Sequence, residues 1–240
     1  MKLFNEGFWR ESLSYPDWYI RLESDLRNGI FPIMHDDTAV ADYRDRVYQL
    51  VADMLGHDQL PLAESGPDFD SHRQPVTTII IHHTEEAPDI SLEKLSAIGL
   101  VRQYALKYLD DDVFGHQVRG QAIWSGHFRD DRMVFFAYHW LVRPDGKTER
   151  LLNDSDYGNH ALQANPYSIG IAFSGDYTES QPSIKQIQAA AQIVREHYSD
   201  ISVDRILGHC EVLDRTCPGK SFMTEWKHTL IKEVMDETNR

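Results

Sequence analysis

A continuous β-branched run, Val76-Thr77-Thr78-Ile79-Ile80-Ile81, ends in His82-His83-Thr84. Unbroken rather than alternating apolar character predicts a central strand buried on both faces. Strands and helices alternate from there on. Ser91 caps a helix whose apolar positions are Leu95, Ile98, Val101, Tyr104, Ala105 and Tyr108. Residues 110–132 are polar and glycine-containing, and read as a long loop. Met133–Val142 and Thr148–Leu152 flank Arg143-Pro144-Asp145-Gly146-Lys147, a hairpin turn signal. Ser168–Ser174 is a further strand. Ile184, Ile187, Ala191, Val194 and Tyr198 mark a helix, Ile206-Leu207 a short strand, and a last helix runs from about Thr224 toward Met235. The expected fold class is α/β, a mixed central β-sheet flanked by helices, with an N-terminal helical extension.

That extension, residues 1–72, has a different pattern. Val40, Tyr43, Val47, Leu50, Val51 and Met54 recur at helical spacing, with Asp37 or Thr38 to cap the start and Gly56 to end it. A shorter helix is expected over Asp17–Arg27, and Leu60–Pro75, with three prolines, reads as a linker. The domain reading is therefore 1–72 and 73–240. A net charge of −14 argues against nucleic acid or an anionic membrane as partner. No segment has the apolar length of a signal-peptide core or a membrane span, so a cytoplasmic protein as synthesised, and a monomer, is the expectation.

The chemistry concentrates in Gly208-His209-Cys210-Glu211-Val212-Leu213-Asp214-Arg215-Thr216-Cys217-Pro218-Gly219. A histidine and a cysteine stand eight residues apart here. With an imidazole from His82 or His83 they make a three-ligand set for a borderline-soft ion, and zinc (Zn2+) is the usual occupant. Three protein ligands leave one position for water, the arrangement of a hydrolytic site. A disulfide between Cys210 and Cys217, the two cysteines of the chain, is the competing reading. So short a loop would stabilise a chain of this size only modestly.

Four blocks in order resemble the zinc-dependent N-acetylmuramoyl-L-alanine amidases, a family that includes phage lysozyme-type enzymes and peptidoglycan recognition proteins. They are Ile79–Thr84, Ala137-Tyr138-His139-Trp140 through Gly146, Asn159-His160-Ala161 through Asn165 to Gly175, and Gly208-His209 to Cys217-Pro218-Gly219. The resemblance implies His82, His209 and Cys217 as zinc ligands, with His83 the rival for the first position. It implies Tyr138 as a catalytic residue that hydrogen-bonds the reacting water or oxyanion. It places His160, and more weakly Asn165, against substrate. Arg215 stands where phage and recycling enzymes typically carry lysine; arginine can stabilise an oxyanion but is a poor proton donor. The activity implied is hydrolysis of the amide between N-acetylmuramic acid and L-alanine in peptidoglycan or muropeptides, inside the cell or released to act on the wall. A recognition module that binds peptidoglycan without catalysis is the alternative.

Overall fold

The β-branched run forms strand β1 (Thr78–His83), and all of its residues are buried. It belongs to a computed structural model that describes residues 4–18, 21, 22, 25, 37–57, 59–61, 68–85, 128, 129, 132, 133 and 137–236. The other strands are β2 (Phe128–Arg129), β3 (Arg132–Met133), β4 (Trp140–Val142), β5 (Thr148–Arg150), β6 (Ser168–Phe173) and β7 (Ile206–Gly208). The chain divides into two units, residues 1–66 with 98–135, and residues 67–97 with 136–240.

In the second unit β1 lies between two parallel neighbours, pairing Ile80 with Gly170 of β6 on one side and with Leu207 of β7 on the other. The five strands run β5-β4-β6-β1-β7. Within this sheet only β4 and β5 pair antiparallel among the described residues, so it is mixed, as expected. The β4–β5 turn follows from its residues. Gly146 takes φ +86°, a conformation that costs glycine nothing, and Asp145 Oδ1 accepts from Lys147 N at 3.0 Å.

Alternation along β1 sends successive side chains to opposite faces. Ile79 and Ile81 meet Ile169, Ile171, Phe173 and the helix α3 (Ile184–His197) in the larger core. Ile80 faces the other way, onto Ala161 and Ala164. Helix α3 starts at a reciprocal cap: Ser183 Oγ accepts from Gln186 N, and Gln186 Oε1 accepts from Ser183 N, both at 3.3 Å. Its buried stripe includes Ile187, Ala190, Ala191 and Val194, in helical register. After β7 come a single turn, α4 (His209–Val212), then a wide turn over Phe222–Trp226 and α5 (Lys227–Met235).

Two expectations change here. The strand expected over Met133–Val142 is confined, among the described residues, to the ends of that range, because His139 interrupts the ladder. Its backbone N donates to Gly170 O at 3.0 Å, but Gly170 N donates to the imidazole Nδ1, at 3.1 Å, instead of to a carbonyl. The end of the expected linker is also tied down: Arg73 donates through Nη1 to the carbonyls of Asn165 and Ser168, each at 2.8 Å.

In the first unit, helix α2 spans Asp37–Gly56, matching the expected start and end. Its Tyr43, Val47, Leu50, Val51 and Met54 are buried. Against it lies α1 (Glu6–Leu13), which the sequence reading did not anticipate. Asn5 Oδ1 caps it from Phe8 N at 3.1 Å, and Trp9 Nε1 donates to Tyr43 Oη of α2 at 2.9 Å. The cap and the Trp9–Leu13 spacing were the signals available. The helix expected from Ser91, most of that over Asp17–Arg27, and the 110–132 loop apart from its last strand residues lie outside the described residues. Among the described residues no helix is long and apolar enough to cross a membrane.

Candidate metal centre

The two adjacent histidines at the end of β1 take opposite faces of the sheet, since consecutive strand residues face opposite ways. His83 points to the larger core, where its Nδ1 accepts from Tyr177 N at 2.9 Å and its Nε2 lies 3.5 Å from Glu85. His82 points to the other face. There its Nδ1 lies 3.7 Å from Cys217 Sγ, and its ring centroid is 4.6 Å from that of His209. His83 reaches the thiol only through its backbone N, at 3.4 Å.

His209 arrives at the end of β7, and its carbonyl accepts from Leu213 N at 3.0 Å. The following loop folds back so that Cys210 N donates to Cys217 O at 2.8 Å. This closure carries Cys217 to the two imidazoles. Candidate ligand atoms of His82, His209 and Cys217 all lie within 4.8 Å of one another. Both cysteines are free thiols.

The donor set suits a divalent, borderline-soft cation. Two ligands at tetrahedral angles, with metal–sulfur about 2.3 Å and metal–nitrogen about 2.0–2.1 Å, stand about 3.6 Å apart. The His82 Nδ1–Cys217 Sγ separation of 3.7 Å matches that. His209 Nε2 is buried with no hydrogen-bond partner among the described residues. Burial holds His82 well below the usual imidazole range, with the charges of His209 and His83 adding to it. His209 is lowered by burial and then by the Arg215 guanidinium. Both are thus neutral, the form that ligates. Burial pushes the Cys217 thiol up to about 12, so without a cation it stays protonated, and cation binding would displace that proton.

Around this triad the other expected residues fall at different depths. Tyr138 is half-buried in the bend before β4, its ring 5.1 Å from that of His82 and 6.5 Å from that of His160. His160 is 8 % exposed, and its Nδ1 lies 3.0 Å from His82 Nε2. Asn165 is buried, its Oδ1 accepting from the backbone N of His160 at 3.0 Å and of Ala161 at 2.6 Å. Its amide therefore holds the loop that carries His160. Arg215 is exposed, and acts on the triad through its charge at His209.

His139, which lacks ligand spacing along the chain, belongs to the frame around the triad. Its Nε2 meets Asp156 O at 3.1 Å, its Nδ1 accepts from Gly170 N, and its ring stands 5.7 Å from that of His160. Burial, then the Arg73 charge, brings its pKa to about 4. The unfolded chain, titrating near 6.5, takes up this proton first, so the contribution of His139 is fully present above about pH 6.5. It is lost as pH falls toward about 4, a swing on the order of 3 kcal/mol. Metal-free protein should lose stability over that window, with the lowered imidazoles of His82, His160 and His209 adding in the same direction. In His139→Gln, denaturant unfolding between pH 4 and 7 should show a slope shallower by one proton's share. An unchanged slope would contradict this account.

The family model for N-acetylmuramoyl-L-alanine amidase matches residues 72–220. A peptidoglycan-recognition protein of Drosophila simulans is 30% identical over 161 residues, covering 64% of this chain and 74% of its own. The 1,6-anhydro-N-acetylmuramyl-L-alanine amidase AmpD of Haemophilus influenzae is 23% identical over 180 residues, covering 68% of this chain and 87% of its own. Among solved structures, the N-acetylmuramoyl-L-alanine amidase LysC from Clostridium intestinale aligns with a TM-score of 0.45 at 20% identity, covering 72% of this chain and 95% of that one. The match takes in β1, the Tyr138 bend, the His160 loop and Cys217, and with it the chain belongs to the N-acetylmuramoyl-L-alanine amidase family.

Proposed function

We propose that this protein is a zinc-dependent hydrolase of the amide bond between N-acetylmuramic acid and L-alanine, acting on peptidoglycan or soluble muropeptides. The observation that carries the reading is the convergence of His82, His209 and Cys217 with Tyr138 beside them. Family membership supports the choice of bond.

A zinc ion held by His82, His209 and Cys217 would supply a Lewis acid and lower the pKa of water toward about 7. The chain's own residues do the rest. Burial keeps both imidazoles neutral and therefore free to ligate. Tyr138, beside His82, offers a neutral phenol as hydrogen-bond donor to the oxygen that becomes negative as the carbonyl is attacked. Arg215 is exposed and adds a positive charge that reaches His209, suited to stabilising negative charge. Asn165 keeps the His160 loop in place under the site.

A second reading, peptidoglycan recognition without hydrolysis, is favoured by the name of the Drosophila relative and by Arg215 at a position typically held by lysine. Cys217 and Tyr138 weigh against it, because binding alone needs neither a thiolate ligand nor a phenol at the triad. Purified protein should carry about one zinc per chain, as a three-ligand site of this kind does. It should also release peptides with a free L-alanine amine from muropeptides. Zinc-loaded protein that binds muropeptides and releases no such amine would establish the recognition reading instead.

A further inference from the structure

The His82 imidazole has two nitrogens and two different neighbours. Nδ1 faces Cys217, and Nε2 meets His160 Nδ1 at 3.0 Å. A neutral imidazole that turns the lone pair of Nδ1 toward a cation must carry its hydrogen on Nε2. That hydrogen then points at His160 Nδ1, which can accept it only if His160 carries its own hydrogen on Nε2. One tautomer of each ring satisfies the pair.

His160 is built to stay in that position. A Cβ at Gly170 would stand 2.9 Å from His160 Cγ, and one at Gly158 would stand 2.9 Å from His160 Cδ2. Both glycines thus let the backbone close on the ring. Behind it, Asn165 holds the His160 backbone N, and the ring is more than nine-tenths buried. We propose that His160 is a positioning residue for His82: it accepts the Nε2 hydrogen, fixes the ligand's tautomer and ring orientation, and keeps the Nδ1 lone pair aimed at the space between His82, Cys217 and His209. This differs from the substrate contact that the family resemblance implies for His160, and it rests on the zinc reading above. Hydrogen-bonding partners of metal-ligating histidines tune affinity by about 10–100-fold.

The test is zinc affinity, measured by chelator competition on metal-free wild type, His160→Leu and His160→Asn. An asparagine Oδ1 can take the place of Nδ1 as acceptor, whereas leucine cannot accept. Expected is a loss of about 10–100-fold for leucine, largely restored by asparagine. The cobalt-substituted leucine variant should show a shifted d–d absorption. Zinc affinity unchanged in both variants, with only the Michaelis constant for muropeptide raised, would assign His160 to substrate and overturn the proposal. Nitrogen-15 NMR of the zinc-loaded wild type needs no variant to fold: it should find hydrogens on Nε2 of both His82 and His160. A hydrogen on His82 Nδ1 would also overturn the proposal. Wild type that binds no zinc would overturn the metal reading itself, and the proposal with it, a result distinct from those two.

Discussion

Cys217→Ser should abolish zinc binding and muropeptide hydrolysis while leaving the fold in place. In the proposed site the sulfur would be the soft ligand of the triad, and a serine hydroxyl keeps its proton near neutral pH and binds a borderline-soft ion poorly. Its structural duties are light by comparison. The side chain makes two long contacts that a hydroxyl can also make, accepting from His83 N at 3.4 Å and meeting His82 Nδ1 at 3.7 Å, while the backbone contact that closes the loop, Cys210 N to Cys217 O, is untouched. Metal-free wild type and variant should therefore melt within about 2–4 °C of each other, the shift that about 1 kcal/mol produces in a chain of this size. Added zinc should raise the melting temperature of wild type alone, since a ligand stabilises only the state that binds it. Loss of several kcal/mol of charge stabilisation corresponds to a rate reduction of about three decades or more. Wild-type turnover by a verified metal-free Cys217→Ser protein would end the zinc mechanism.

Gly219→Ala should be among the most destabilising single-methyl changes in the second unit. Gly219 sits at φ +128°, a region that L side chains rarely adopt. Its added Cβ would overlap the Tyr177 carbonyl, with the carbonyl carbon only 2.8 Å away. Backbone atoms on both sides leave little room to yield, because Lys220 N donates to Thr178 O and Phe222 N to Gly219 O. Strain and overpacking each cost about 1–3 kcal/mol. A combined loss of about 3 kcal/mol lowers the melting temperature by roughly 6–12 °C. Zinc affinity should fall too, since Cys217 lies two residues away in the same loop. A melting temperature within about 2 °C of wild type would mean that the loop does not press on the Tyr177 segment.

Much of the framework was legible where one local signal determines one local structure. The unbroken apolar character of Val76–Ile81 specified a strand buried on both faces, and β1 has neighbours on both edges and cores on both sides. Pro144-Asp145-Gly146 specified the β4–β5 turn, and the spacing of Ile187, Ala191 and Val194 specified the buried stripe of α3. The expected strand over Met133–Val142 fell short because a side chain, His139, takes a hydrogen bond that the ladder would otherwise make. Helix α1 was missed because a short segment with one cap and two core anchors gives little periodicity, and its Trp9 finds Tyr43 only in the folded unit.

The site divides along the same line. Residue types and order along the chain pointed to a candidate donor set, two imidazoles and a thiol, because ligand chemistry belongs to the side chains themselves. Tertiary structure decided the rest. It separated His82 from His83 by the pleat of one strand, placed the Cys217 thiol opposite Nδ1, and set His160 behind Nε2. It also turned Asn165 to the backbone of the His160 loop. Those assignments depend on which face a side chain takes and which nitrogen meets which neighbour. Both are properties of packing between segments far apart in the chain, and no local pattern of residues encodes them.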